Sequence, residues 1–204
     1  MKRSPTTVFS EWAEEGRDEK MAKGHEAAVS NMLDGVLKNY NSYRFIDAGC
    51  GNGWVVRLVN KEPNCKSALG VDGSKRMIEK AHRIDPKGAY LHADLMSWIP
   101  EKRADIVHSM EVIYYLPNPK EFIQSVYTNW LAKNGRLIVG LDFYMENSSS
   151  HSWPDDCGIS MMHLLGEKEW VSLFEDAGFN TIKTWRVEPR ENWAGTLVIT
   201  GLKD

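Results

Sequence analysis

Cysteine is scarce in this chain of 204 residues, with three, at positions 50, 65 and 157. An odd number leaves no fully paired disulfide scaffold, and the spacing fits no four-ligand zinc site. An excess of positive charge is also missing: 25 Lys and Arg stand against 28 Asp and Glu, for a net charge of −3. A long nucleic-acid footprint needs clustered cations, so this balance argues against one. The single local concentration, Lys75, Arg76, Lys80, Arg83 and Lys87, is interrupted by Glu79 and Asp85 and reads as a solvated helix face. No apolar run approaches the roughly 18 residues that a spanning helix requires, so no membrane partner is expected. The opening MKRSPTTVFSEW carries no apolar signal region, which predicts a reduced, cytoplasmic setting. Internal repeats and low-complexity linkers are absent, and one domain is the expectation for this length.

What is present is an alternation of helix and strand signals. A short aromatic-bearing helix is predicted over Phe9 to Glu15, then an amphipathic helix carrying Met21, His25, Ala28, Val29, Met32, Leu33 and Val36. The run RFIDAGCG is a short apolar strand ending in glycines, followed by a helix from about Trp54 to Asn60. Ser67 to Val71 predicts a second strand ending at Asp72, after which Ser74 caps a helix bearing Met77, Ile78 and Ala81. Ala89 to His92 and Ala104 to Ser109 are two further strands. Asn118-Pro119 opens a helix whose apolar stripe runs from Phe122 to Leu131, and Arg136 to Phe143 is the next strand. A helix carrying Trp170, Leu173, Phe174 and Ala177 stops at Gly178, and strand-like runs Phe179 to Val187 and Gly195 to Thr200 close the chain as a hairpin. This is the pattern of a doubly wound α/β fold with a mostly parallel sheet.

In such sheets a ligand binds outside the carboxyl ends of the strands, and the first strand ends in Asp47-Ala48-Gly49-Cys50-Gly51-Asn52-Gly53. Alternating glycines let the backbone approach a ligand closely. The dinucleotide fingerprint needs a further glycine where Trp54 stands, and Asp47 would repel phosphate while suiting an ammonium group. A nucleoside-like ligand with an ammonium and no pyrophosphate is therefore expected. Asp72 ends the second strand, where a carboxylate can accept both hydrogen bonds of a ribose diol. Asp94 ends the third, beside Leu95, an arrangement suited to an exocyclic amine and an adenine face.

The sequential segments DAGCGNG, GVDGS, HADL and ADIVHSMEVIYYL, spread over residues 43 to 202, resemble the motifs of class I S-adenosylmethionine-dependent methyltransferases of the small-molecule type. The resemblance implies a Rossmann-like, seven-stranded sheet of order 3-2-1-4-5-7-6 with strand 7 antiparallel. It also implies S-adenosylmethionine as cofactor and S-adenosylhomocysteine as its product. By residue, Asp47, Gly49, Gly51 and Gly53 match the methionine-end motif, Asp72 with Gly73, Ser74 and Met77 the ribose segment, and Asp94 and Leu95 the adenine pair. Met110 and Glu111 match the segment running under the sulfonium, and Arg17, Met21 and His25 could reach the methionine carboxylate or cover the sulfonium. The domain divides into a helical cap (1–40), a cofactor-binding half (41–143), an insert over the substrate site (144–166), and a last helix with its hairpin (167–204).

Methyl transfer from a sulfonium is an in-line displacement in which the protein mainly orients the two partners, and a base is needed only when the nucleophile carries a proton. Tyr114-Tyr115 replaces the Glu-His pair common in relatives, so no histidine base carries over there. No Asp/Asn-Pro-Pro-Tyr follows the fourth strand, which disfavours methylation of DNA bases. Tyr115, Tyr144, Glu146 and His151 are the expected catalytic residues, with Tyr114, Asp142, Trp153 and His163 as further substrate contacts. No metal is expected. The partners expected are a small-molecule acceptor and, at most, a second copy of the chain as a homodimer. An aminopropyltransferase-like enzyme or a non-catalytic cofactor-binding subunit stays open, and hydride transfer is the weakest alternative because of Trp54.

Overall fold

The computed structural model describes residues 2–204. Two helices precede the sheet. In α1 (Pro5–Glu15) the Ser4 side chain caps the first turn with Pro5 at the first position, a site where its missing N–H costs nothing. Gly16, with φ 69°, ends α1 in the left-handed conformation and lets α2 (Arg17–Val36) begin immediately. The alternation then runs β1 (Tyr43–Ala48), α3 (Trp54–Val59), β2 (Cys65–Asp72), α4 (Lys75–Ile84), β3 (Ala89–His92) and β4 (Ala104–Met110). It continues through α5 (Pro119–Ser125), β5 (Leu131–Leu141), α6 (Trp153–Asp156), α7 (Glu167–Ala177), β6 (Asn180–Val187) and β7 (Thr196–Leu202).

The seven strands form one sheet of order β3-β2-β1-β4-β5-β7-β6, as the resemblance implies. The first five are mutually parallel, and β7 is antiparallel to both of its neighbours. Adjacent residues on the central strands point to opposite faces, and both faces are apolar. Ile46, Val107 and Val139 pack with Phe122, Trp130, Trp170 and Phe174 on one side, while Phe45, Ile106 and Ile138 pack with Val29, Met32, Val56 and Ile78 on the other. At about 1.5–3 kcal/mol for each large side chain removed from water, these two layers dominate the stability of the fold.

Two expectations are corrected. The helix opened by Asn118 does not run to Leu131: α5 ends at Ser125, a π-type turn covers Val126–Trp130, and Leu131 already begins β5. The register of β4 with β5 then slips between Ala104 and Ile106, and Asn134 (φ 60°) absorbs the irregularity. Lys80 is likewise no solvated residue. It is 9% exposed, and its Nζ lies 2.8 Å from Asp18 Oδ1 and 2.9 Å from Glu19 Oε1. Asp18 Oδ2 accepts in turn from Asn52 Nδ2 at 2.7 Å, so one buried polar junction joins α2, α4 and the glycine loop.

The 144–166 segment packs against the N-terminal segment. Arg3 pairs with Ile159 in an isolated parallel bridge, and Val8, Trp12 and Ile159 form a small apolar cluster joined by Phe9, Met21, Tyr115 and Met162. Among the described residues no helix is long and apolar enough to cross a membrane.

Removing Asp18 leaves the Asn52 amide and the Lys80 ammonium short of a buried partner, at a cost of roughly 1–3 kcal/mol. Asp18→Ala is therefore expected to lower the unfolding free energy by about that amount in urea titrations, whereas the exposed Lys75→Ala changes it by less than about 0.5 kcal/mol.

Candidate active site

A cleft of about 400 Å³ opens at the carboxyl ends of β1, β2 and β4 and is roofed by α1, α2 and the 160–161 segment. It gathers residues far apart in the chain, including Phe9, Met21, His25, Asp47, Gly49, Gly51, Asp72, Gly73, Ser74, Met77, Asp94, Leu95, Met110, Glu111 and Tyr115. These are nearly all the residues expected at the cofactor, with one of those expected at the chemistry.

The loop after β1 earns its glycines in different ways. A Cβ on Gly51 (φ 53°) would meet nothing nearer than Met77 Sδ at 4.0 Å, so its bare backbone faces open cleft. A Cβ on Gly53 (φ 78°) would come within 2.2 Å of the Tyr90 ring, and Gly53 is not part of the lining. Gly53 thus serves the turn into α3 and its packing, whereas Gly51 is where a ligand can touch the main chain.

Each acid of the cleft is held differently. One oxygen of Asp47 is 2.7 Å from His108 Nδ1, and both side chains are buried. Asp72 accepts from the Gly51 N–H at 2.9 Å and the Ser74 N–H at 2.7 Å. Burial pushes its carboxyl above the usual carboxylate range, and those two N–H groups pull it back. Asp94 caps its own turn, accepting from the Met96 N–H at 3.0 Å and the Ser97 hydroxyl at 3.1 Å, while Leu95 beside it is buried.

Glu111 sits at the end of β4 with φ 59°, its N–H bonded to the Gly140 carbonyl at 2.9 Å. Its two carboxylate oxygens accept from the Asp142 N–H and the Tyr114 hydroxyl, which ties the ends of β4 and β5 together. Burial first, and the neighbouring Asp142 second, push its carboxyl well above the ordinary range. His25 reaches in from α2, with Nε2 3.5 Å from Asp142 Oδ2. One imidazole and two carboxyl groups thus converge, one atom of each lying within 4.8 Å of the others.

Several expected residues stand elsewhere. Arg17 lies over the Trp12 ring at 4.3 Å and does not reach the cleft. The Tyr144 hydroxyl donates to the Gly195 carbonyl at 2.8 Å beneath Arg186, and burial raises its phenol to about 12. Glu146 accepts from the Glu167 N–H at 3.1 Å and so caps α7, and His151 Nε2 meets the Met145 carbonyl oxygen at 3.1 Å. Trp153 stacks on Trp193, and the His163 backbone N–H donates to the Tyr114 carbonyl at 2.8 Å. Of the residues expected to be catalytic only Tyr115 lines the cleft. Its ring meets Phe9 edge-on at 5.0 Å, and burial raises its phenol so strongly that it stays a hydrogen-bond donor. The residues that sequence reasoning missed are Asp18, Asn52, Lys80 and His108. His108 shows only as a polar residue in the apolar run of β4; Asn52 lies within the glycine loop and Lys80 within the basic helix face, and neither these nor Asp18 carries a local sign of its buried partner.

The folded protein holds the Glu111 proton to a higher pH than the unfolded chain does. Its contribution to stability is full below the ordinary carboxylate range and is lost as pH rises through the raised folded value. Denaturant titrations from about pH 4 to pH 8 should therefore show wild type losing stability relative to Glu111→Gln as pH rises. A wild type that gains on the variant over that range would contradict the burial of this charge.

A methyltransferase domain model matches residues 11–184. A trans-aconitate 2-methyltransferase of Rhizobium etli is 29% identical over 140 residues, which are 66% of this chain and 49% of that protein. The chain thus spans about half the length of the curated relatives it matches. A chain from the complex of the Haloferax volcanii Trm112 methyltransferase activator with a methyltransferase superposes with TM-score 0.82 at 23% identity, covering 98% of both chains. The N-methyltransferase NodS of Bradyrhizobium japonicum, solved with S-adenosylhomocysteine, superposes with TM-score 0.64 at 16% identity, covering 85% of this chain and 84% of its own. The chain belongs to the methyltransferase domain family and carries the class I, S-adenosylmethionine-dependent fold.

Proposed function

We propose that this chain moves the methyl group of S-adenosylmethionine to a small-molecule nucleophile and releases S-adenosylhomocysteine. The observation that carries the reading is the convergence of Gly51, Asp72, Asp94, Leu95 and Met110 on one cleft at the strand-order reversal. The cofactor fits these residues. The open face of Gly51 admits the amino acid portion, and the Asp72 carboxylate, buried but already polarised by two N–H donors, suits a ribose diol. Leu95 and Met77 offer apolar surface to a base, with Asp94 at its edge. Bound there, the sulfonium supplies an activated methyl group, and the chain supplies orientation and exclusion of water.

α1, α2 and the 160–161 segment cover the cleft, so the N-terminal cap and the insert act together as its roof. Tyr115 is a wall and hydrogen-bond donor near the reacting centre. The curated relatives are trans-aconitate 2-methyltransferases, which supports a small-molecule acceptor here; in our reading a monomer or homodimer takes it up without nucleic acid or membrane.

Calorimetric titration is expected to give micromolar binding of S-adenosylmethionine and S-adenosylhomocysteine and none of NADH. Asp72→Ala removes a charged acceptor, for which about 1.5–3 kcal/mol, or roughly ten- to a hundredfold in affinity, is expected. Binding of neither sulfur compound by the folded wild-type protein would overturn the reading.

A further inference from the structure

A second cavity, of about 270 Å³, lies between α2 and the β6–β7 loop. Its lining includes His25, Asp142, Glu188, Arg190, Glu191 and Trp193. Among the described residues His25 alone lines both this cavity and the cofactor cleft, so it stands at the junction between them. Asp142 stands behind it, with Oδ2 3.5 Å from His25 Nε2. Asp142 is 5% exposed, and its Oδ1 is buried without a hydrogen-bond partner.

The charge of the cavity selects its occupant. Arg190 is paired with Glu188 at 3.2 Å, and among the described residues Asp142 and Glu191 have no Lys or Arg partner. Trp193, stacked on Trp153 on one side, is an aromatic residue of the same lining. Carboxylates beside an aromatic face attract an ammonium and repel a carboxylate ligand.

We propose that this second cavity is the acceptor site, that it takes an amine, and that His25, oriented by Asp142, removes the proton that masks the amine's lone pair. The inference rests on the S-adenosylmethionine reading of the first cleft. Nε2 is the ring nitrogen nearer Asp142, at 3.5 Å, so Nδ1 serves as the basic nitrogen in this scheme. The ammonium gives one proton to Nδ1, and the imidazolium so formed is stabilised by Asp142 and passes its proton to solvent. The freed lone pair forms the N–C bond as the S–C bond breaks, with the electron pair of that bond remaining on sulfur. Glu111, Glu188, Arg190 and Glu191 are the other titratable groups near this pair.

The test begins with the protein saturated with S-adenosylhomocysteine and titrated calorimetrically with 2-phenylethylamine, ethanolamine, trans-aconitate and citrate. At least one amine is expected to bind and neither carboxylate, with Glu191→Lys weakening the amine about tenfold or more. With S-adenosylmethionine and the bound amine, His25→Ala and Asp142→Asn are expected to lower turnover by about a hundredfold or more. In His25→Ala, assayed at saturating S-adenosylmethionine, the acid limb of the pH–rate profile should disappear. Binding of carboxylates in place of amines, or of no amine, overturns the proposal, as does an unchanged pH profile in His25→Ala. A His25→Ala protein that loses S-adenosylhomocysteine affinity instead assigns His25 to the cofactor. Activity abolished by EDTA and restored by Mg²⁺ makes the cluster a cation site and removes the base. Failure of wild type to bind S-adenosylhomocysteine at all is a separate result and overturns the earlier reading rather than this one.

Discussion

The constraint on which the rest depends is the reversal of strand order at β1, which lies between β2 and β4. The helix after β1 covers one face of the sheet and the helix after β4 covers the other, as their contributions to separate apolar layers show. Between them the carboxyl ends of two parallel strands are left without a covering helix, and a crevice opens where loop backbone faces outward. Asp47, Asp72 and Glu111 lie at these strand ends, so a purely topological fact decides which acids meet. The apolar layers supply the stability that lets so many acids gather at one end of the sheet.

Those acids are kept apart in role by their local partners. Asp47 meets an imidazole, Asp72 meets two backbone N–H groups, and Glu111 meets one N–H and one phenol. Glu111 also faces the buried carboxyl group of Asp142, which adds to the burial that chiefly holds its proton. The N-terminal helices enter this scheme through Asp18, which links Asn52 of the glycine loop to Lys80 of α4. Through that junction the roof of the cleft and the loop beneath it are coupled, and the same helix α2 carries His25 to Asp142 about two turns later.

Much of the fold is legible in the sequence because its determinants are local. Ser74 caps α4, Asn118 with Pro119 opens α5, and Gly178 ends α7, each by hydrogen bonds or dihedrals spanning a few residues. The failures are equally physical. Leu131 fits the apolar stripe of α5, but a π-type turn and a register slip against β4 move it into β5. Tyr144 and Glu146 follow a strand end in the manner of site residues, yet one bonds to the Gly195 carbonyl and the other caps α7.

The sequence by itself determined the alternation of elements, the glycine loop and the acids at the ends of the first three strands, since short-range spacing encodes all of them. Tertiary structure alone decided that Lys80 is buried, that Asp47 lies against His108, and that His25 arrives beside Asp142 between two cavities. The reason is that these contacts join residues more than 60 positions apart in the chain, and no local periodicity carries information about which buried charge will meet which.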